Sequence, residues 1–199
     1  MNAVMKIFTK TVLLSFLFSA SFCDLFGQQV EKKGPALRLL VRGGFDFGGD
    51  KVAEIDFEDG SKQSVPAGNG GWIAIGAEYQ VPAIKRLLFH ATAGYKYVTT
   101  KADNAHIRLT RVPLQISANW MATKKLRFGA GLTSHQAVRF KAGGFADDLT
   151  LRATPGPTFE LAYGALGVNY TSMSYRDQTD EKYSASSIGV SLTFAFPKR

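Results

Sequence analysis

The chain carries one cysteine, Cys23, in 199 residues. Once a leader that includes Cys23 is removed, no intramolecular disulfide can form, so an exported domain must be held by its sheet and its packing. No apolar run approaches the roughly 20 residues of a membrane-spanning helix. After residue 30 no amphipathic helical pattern is convincing. The net charge is +8, yet the basic residues form no clustered run. An exported chain without such a run has no footprint for nucleic acid.

What is present begins with the leader. Lys6 and Lys10 precede the apolar segment Val12–Ala20, and small residues follow it. That order is a secretory signal. Cleavage fits after Ser21, after Cys23, or between Gly27 and Gln28, and residues 1–27 are taken as the signal. Phe22 stands where lipid attachment at Cys23 would want a small residue. Removing residues 1–27 takes Lys6, Lys10 and Asp24, which leaves 22 basic and 15 acidic residues and a net charge of +7.

The rest is rich in Gly (20) and in aromatics, with 15 Phe and 7 Tyr. Short alternating runs in such a composition point to an all-β sandwich or barrel. Eight runs stand out: 36–47, 71–81, 87–98, 107–120, 126–137, 157–162, 167–175 and 183–196. Most approach the length of a tilted strand that crosses a bilayer. Connections one, three, five and seven are long, and two, four and six are tight. Outer-membrane barrels alternate long outer loops with short periplasmic turns in this way.

Each run has two unlike rows. One is apolar, as in Leu37, Leu39, Phe45, Ile73, Ile75, Leu114, Ile116, Val190, Leu192 and Phe194. The other mixes small residues with a few ions: Arg38, Arg42, Asp46, Glu78, His90, Lys96, Arg111, Gln115, Arg127 and Glu160. A water-facing row would be richer in Lys and Glu on every strand. An eight-stranded barrel has an interior just wide enough to be filled by side chains. The polar row is therefore placed inside and the apolar row against lipid. The ten polar residues make a lumen network in which the cations outnumber the anions, so some cations must sit near the mouths or meet water. In RVPLQISANW, Pro113 cannot donate to a ladder, which calls for a bulge or a missing bond. Ile107 and Leu109 lie out of phase with Val112, Leu114 and Ile116. An extra residue at Thr110–Arg111 would return them to the apolar face.

RVPLQISANW, the turn MATKK and the strand LRFGAGL, together with the closing SIGVSLTFAF, resemble the bacterial outer-membrane β-barrel domain family of OmpA/OmpX-like and PorT-like small barrels. The resemblance spans about residues 35–196. Arg111 stands where family members often carry an acidic residue, and three residues follow Phe196. The resemblance implies a barrel in the outer membrane of a Gram-negative-type bacterium. It also implies that the C-terminal strand is read by the barrel-assembly machinery.

Ser134 and His135 invite a lipid-modifying hydrolase, but adjacent strand residues point to opposite faces, and no third member is seen. Residues 52–65 alternate around Asp59-Gly60, a hairpin signal. Glu54, Asp56, Glu58 and Asp59 make that segment a candidate cation-binding loop, although the spacing is not that of an EF-hand. KAGGFADD (141–148) has glycines but no strand-to-helix setting for a phosphate loop. Phe140 and Phe145 either bind a partner or fold back on the rim. The expected fold is an eight-stranded antiparallel up-and-down transmembrane β-barrel over residues 35–196, with no catalysis, cofactor or metal. Expected partners are outer-membrane lipid, the assembly machinery, and an extracellular ligand or protein at the outer loops, the first and third above all. The rival readings are the hydrolase and a soluble lipocalin-like carrier with its rows reversed.

Overall fold

The computed structural model describes residues 36–56, 62–102, 105–141 and 149–198. The residues expected to form the secretory signal, together with Glu58, Asp59 and Phe145, lie outside them. Thirteen strands follow in chain order. They are β1 (Leu37–Phe47), β2 (Lys51–Asp56), β3 (Lys62–Pro66), β4 (Gly70–Gln80), β5 (Leu87–Ala102), β6 (Ala105–Met121) and β7 (Leu126–Lys141). Then come β8 (Leu149–Thr154), β9 (Gly156–Tyr163), β10 (Leu166–Thr171), β11 (Ser174–Arg176), β12 (Lys182–Ser184) and β13 (Ser187–Phe196).

Eight of them, β1, β4, β5, β6, β7, β9, β10 and β13, pair antiparallel with their neighbours. The ring closes through the β1–β13 and β7–β9 ladders. This is an up-and-down barrel with no free edge around its waist. Its tight-turn end is made by three short connections. Gly164 sits at φ 63 in the two-residue link between β9 and β10, a conformation that an L-residue adopts at a cost. Thr123 Oγ1 accepts the Leu126 amide at 2.9 Å in the β6–β7 turn.

At the other end the sheet runs on. β5, β6 and β7 are 16, 17 and 16 residues long. β8 pairs with the end of β7, β11 with β8, and β12 with β11. The pair β2–β3 forms a separate hairpin. Residues 138–155, expected to be a connection, thus include strand on both flanks. We call this strand extension the collar.

The waist is apolar outside. Ile75, Ile116, Leu132, Leu161 and Val190 lie exposed around its middle. Tyr79, Trp120, Phe128, Tyr163 and Phe196 ring the tight-turn end, and Phe45, Phe47, Tyr95, Tyr97 and Tyr170 ring the other. An apolar band between two aromatic girdles is the exterior of a membrane barrel. Such single-chain barrels belong to outer membranes, where a closed sheet satisfies every backbone group without water. The reversed rows of a lipocalin are not found in the waist.

Two expectations for β6 are corrected. Thr110 pairs with Arg139 and Val112 with Gln136, so β7 advances three residues while β6 advances two. The register does shift beside Arg111, but the extra residue belongs to β7. There Ala137 takes φ 49. β6 has no need of it, because Ile107 and Leu109 do not face lipid. They share the inward row of Arg111, Ser117 and Asn119, and their exposures are 4% and 0%. Pro113 is accommodated separately. The β5–β6 ladder stops after Ala93–Leu114 and resumes in the same register at Lys96–Arg111. Val112 and Pro113 therefore face no ladder partner on β5, and the missing proline donor leaves no bond broken.

Candidate functional site

The interior is filled in layers that the strand registers dictate. Nearest the tight-turn end, Arg38, Glu78 and His90 are direct neighbours across β1, β4 and β5. Arg38 Nε donates to Glu78 Oε1 at 2.9 Å, and Arg38 Nη2 donates to the same oxygen. His90 Nε2 lies 3.1 Å from Glu78 Oε2.

The middle layer crosses the lumen. Glu160 on β9 takes Arg42 of β1 on one oxygen and Arg127 of β7 on the other. Arg42 also donates to Thr193 Oγ1 at 3.1 Å and Gln115 Oε1 at 3.2 Å, and its guanidinium lies over the Trp72 ring at 5.7 Å. Above it, Lys96 Nζ donates to Asp46 Oδ2 at 2.6 Å and to the Gly68 carbonyl at 2.7 Å. Asn169 Nδ2 donates to the other Asp46 oxygen at 3.0 Å. Small residues give these groups room. A Cβ on Gly129 would strike the Asn119 side chain, and one on Gly189 would strike Asp46.

Five interior cations face three carboxylates, and Arg111 shows how the excess is handled. It is fully buried, not at a mouth. Its guanidinium donates to the carbonyls of Ala67 and Asn69 and, at 3.3 Å, to Tyr175 Oη. Carbonyl dipoles thus stand in for a carboxylate. The bond also fastens the foot of the β2–β3 hairpin over the lumen. Gly70 is part of this clasp, at φ 144, where a Cβ would lie 2.9 Å from Arg111 Nη2.

Past Arg111 the interior turns apolar. Val65, Ala67, Ile107, Leu109, Val138, Phe140, Leu151, Met173, Tyr175 and Ala185 form one buried cluster. Phe140 is part of this core, not an exposed contact. The collar is therefore capped by a dry plug. Below the plug lies a cavity of about 40 Å3, bordered by Trp72, Thr92, Thr133, His135 and Asn169 among others. That space holds a water or two, not a solute.

The hydrolase constellation does not assemble. His135 Nδ1 lies 2.5 Å from Tyr175 Oη, while Ser134 Oγ accepts from Gln136 Nε2 at 2.9 Å on the opposite face. Glu54 and Asp56 stand on β2, and the rest of the candidate cation loop, Glu58 and Asp59, is outside the described residues. Among the described residues, no three His, Cys, Asp or Glu side chains gather to hold a metal.

Several participants escaped the sequence reading. Trp72 lies in the same alternating row as Ala74, Gly76 and Glu78, so its phase could have placed it inside. Tyr175 shares the odd phase of Gly167, Asn169 and Thr171, so alternation could have placed it inside as well. Asn69 and the Ala67 carbonyl come from a connection, and no alternation signals them.

No protein-family model matches the chain, and no curated protein does. Among solved structures it is similar to Neisserial surface protein A (NspA), at 14% identity and TM-score 0.42, over 80% of this chain and 98% of that one. It is also similar to Ail, the attachment invasion locus protein of Yersinia pestis, at 8% identity and TM-score 0.38, over 79% and 97%. A third is the outer membrane channel DcaP of Acinetobacter baumannii, at 14% identity and TM-score 0.29, over 83% and 60%.

Proposed function

We propose that the chain is a closed outer-membrane barrel that neither conducts nor catalyses, and whose work is done at its outer, collar-bearing end. The observation that carries this reading is the double closure of the interior. Cross-lumen ion pairs fill the waist and an apolar plug fills the collar. A solute path would have to break both, so what remains available to partners is the outer surface. Loops on a rigid scaffold are the usual seat of recognition. Lipid of the outer membrane surrounds the waist, and β13, with its alternating apolar residues and terminal Phe196, is the strand that the barrel-assembly machinery would read. No nucleic acid, metal or cofactor enters this reading.

The test is electrical. Full-length mature protein, refolded into planar bilayers and checked for a boiling-dependent gel shift, is expected to give no steady conductance above protein-free bilayers. Discrete, reproducible channel steps from the folded form would overturn the closed-lumen reading.

A further inference from the structure

The outward face of the collar is basic, and its arrangement is costly without an occupant. Arg108 of β6 stands directly opposite Lys141 of β7, and two residues back on the same face of β7 is Arg139. Arg139 pairs with Thr150 of β8, and Arg152, two residues on, stands opposite Arg176 of β11, which stands opposite Lys182 of β12. All six cations are exposed. They form one continuous patch over five strands. Like charges set directly across a ladder repel, and three such pairs occur here, Arg108–Lys141, Arg152–Arg176 and Arg176–Lys182.

The patch is also poor in acids. The collar segments 105–110, 138–141, 149–154, 174–176 and 182–184 contain none. Only Arg176 makes an ion pair among the described residues, with Asp180 at 2.8 Å. The other five are unpaired there. Position names the occupant. On β6 the outward row runs from Ile116 and Leu114 through Val112 and Thr110 to Arg108, so the cations begin about 13 Å along the strand from Val112. Tyr97 of the outer girdle stands opposite Thr110, so after strand tilt Arg108 lies only about 5 Å above the girdle. The headgroup layer extends roughly 5–8 Å beyond the hydrocarbon core, which puts the phosphates around the barrel at this level. Arginine binds phosphate through a fixed fork of donors, which suits a crowded anionic surface.

We propose that the collar binds the phosphorylated headgroup of an outer-leaflet glycolipid through Arg108, Arg139, Lys141, Arg152, Arg176 and Lys182. This rests on the outer-membrane barrel reading and adds the ligand's chemistry to it. The probe is bis-phosphorylated lipid A, titrated against the refolded full-length mature protein in zwitterionic detergent micelles. Bound lipid is counted by native mass spectrometry, and the boiling-dependent gel shift is recorded on the same samples. Wild type is expected to bind bis-phosphorylated lipid A at least about tenfold more tightly than its dephosphorylated form, with affinity falling as salt rises. The variant carrying R108Q, R139Q, K141Q and R152Q, all on exposed positions, is expected to keep the gel shift and lose that preference.

Equal binding by wild type and variant, with both folded, would overturn the proposal and leave the barrel reading intact. So would equal binding of the two lipid forms. Inorganic tripolyphosphate binding as tightly as lipid A would mark a site for soluble anions and sink the lipid assignment. No gel shift in wild type would bring down the barrel reading as well.

Discussion

In the waist, Arg42, Glu160 and Arg127 fill the interior while Ile75, Ile116 and Val190 face outward. In the collar, Leu109, Phe140 and Leu151 fill the interior while Arg108, Arg139 and Arg152 face outward. One continuous sheet thus follows two opposite rules. The difference lies in the solvent. Lipid tails are as apolar as leucine, so the waist gains nothing by hiding its aliphatic residues and can hold ions in a sealed interior. The collar stands in water, where burying apolar surface is the main favourable term. On β6 the change needs no break, since the inward row runs from Asn119 through Arg111 to Ile107. On β7 it coincides with the bulge at Ala137.

The sharpest way to break the comparison is to remove an ion from the waist. Glu160 holds two arginines at once. Replacing it with Ala leaves both buried without their shared anion, at a cost of about 3–5 kcal/mol. The unfolding midpoint in urea, read from vesicle-embedded protein, should drop accordingly, and the gel shift should weaken. A loss below about 1 kcal/mol would mean that solvent reaches the lumen and screens the arginines.

The collar should respond to the opposite kind of change. Leu109→Ala empties a fully buried site and should cost about 2–5 kcal/mol of collar packing. The waist does not depend on that packing. Proteolysis within residues 105–110 should therefore rise while the membrane-protected fragment and the gel shift persist. Simultaneous loss of both would show that waist and collar fold as one unit.

The waist was legible in the sequence because two signals coincide there: strict alternation and a polar row too small and too sparse in Lys and Glu for a water-facing surface. Arg38, Glu78 and His90 could be grouped because their strands are adjacent. The pairing of Arg42 with Glu160 across the lumen could not, since it depends on how the ring closes. The collar misled because alternation does not say which medium lies outside. Ile107 and Leu109 were assigned to lipid, and a bulge was placed on β6 to turn them outward. Their shared phase with Arg111 was the clue that the surroundings change instead. Some of the excess cations were expected near the mouths or against water; Arg111 is instead buried, and backbone carbonyls, which carry no sequence signature, are what allow it.

A smaller effect should appear at the junction. Ala137 holds φ 49, a left-handed conformation that glycine adopts without a steric cost. Ala137→Gly should stabilise the junction by about 0.5–1 kcal/mol, and Ala137→Val should weaken it. The urea midpoints of the two variants should straddle wild type. The reverse order would place the extra residue elsewhere on β7.

The smallest effect lies at the tip of the collar, in the turn between β11 and β12. Asp177 Oδ1 accepts from the Thr179 hydroxyl at 2.7 Å and from the amides of Thr179 and Glu181 at 2.8 and 2.9 Å. The Thr179 hydroxyl bond is the main reason that its carboxyl titrates below the ordinary aspartate value of 3.8, with the two amides adding to it. A depressed folded value has a definite sign. The carboxylate's contribution is complete above the ordinary value and is lost as pH falls through the lower, folded one. In micelles, the amide proton shifts of Thr179 and Glu181 should hold steady from about pH 7 to about pH 5 and move together only at more acidic pH. Asp177→Asn should abolish that step and leave the waist unchanged, because the turn is exposed and touches neither the plug nor the ion layers. Amide shifts that move at the ordinary value or above it would mean that the turn does not hold its carboxylate in solution.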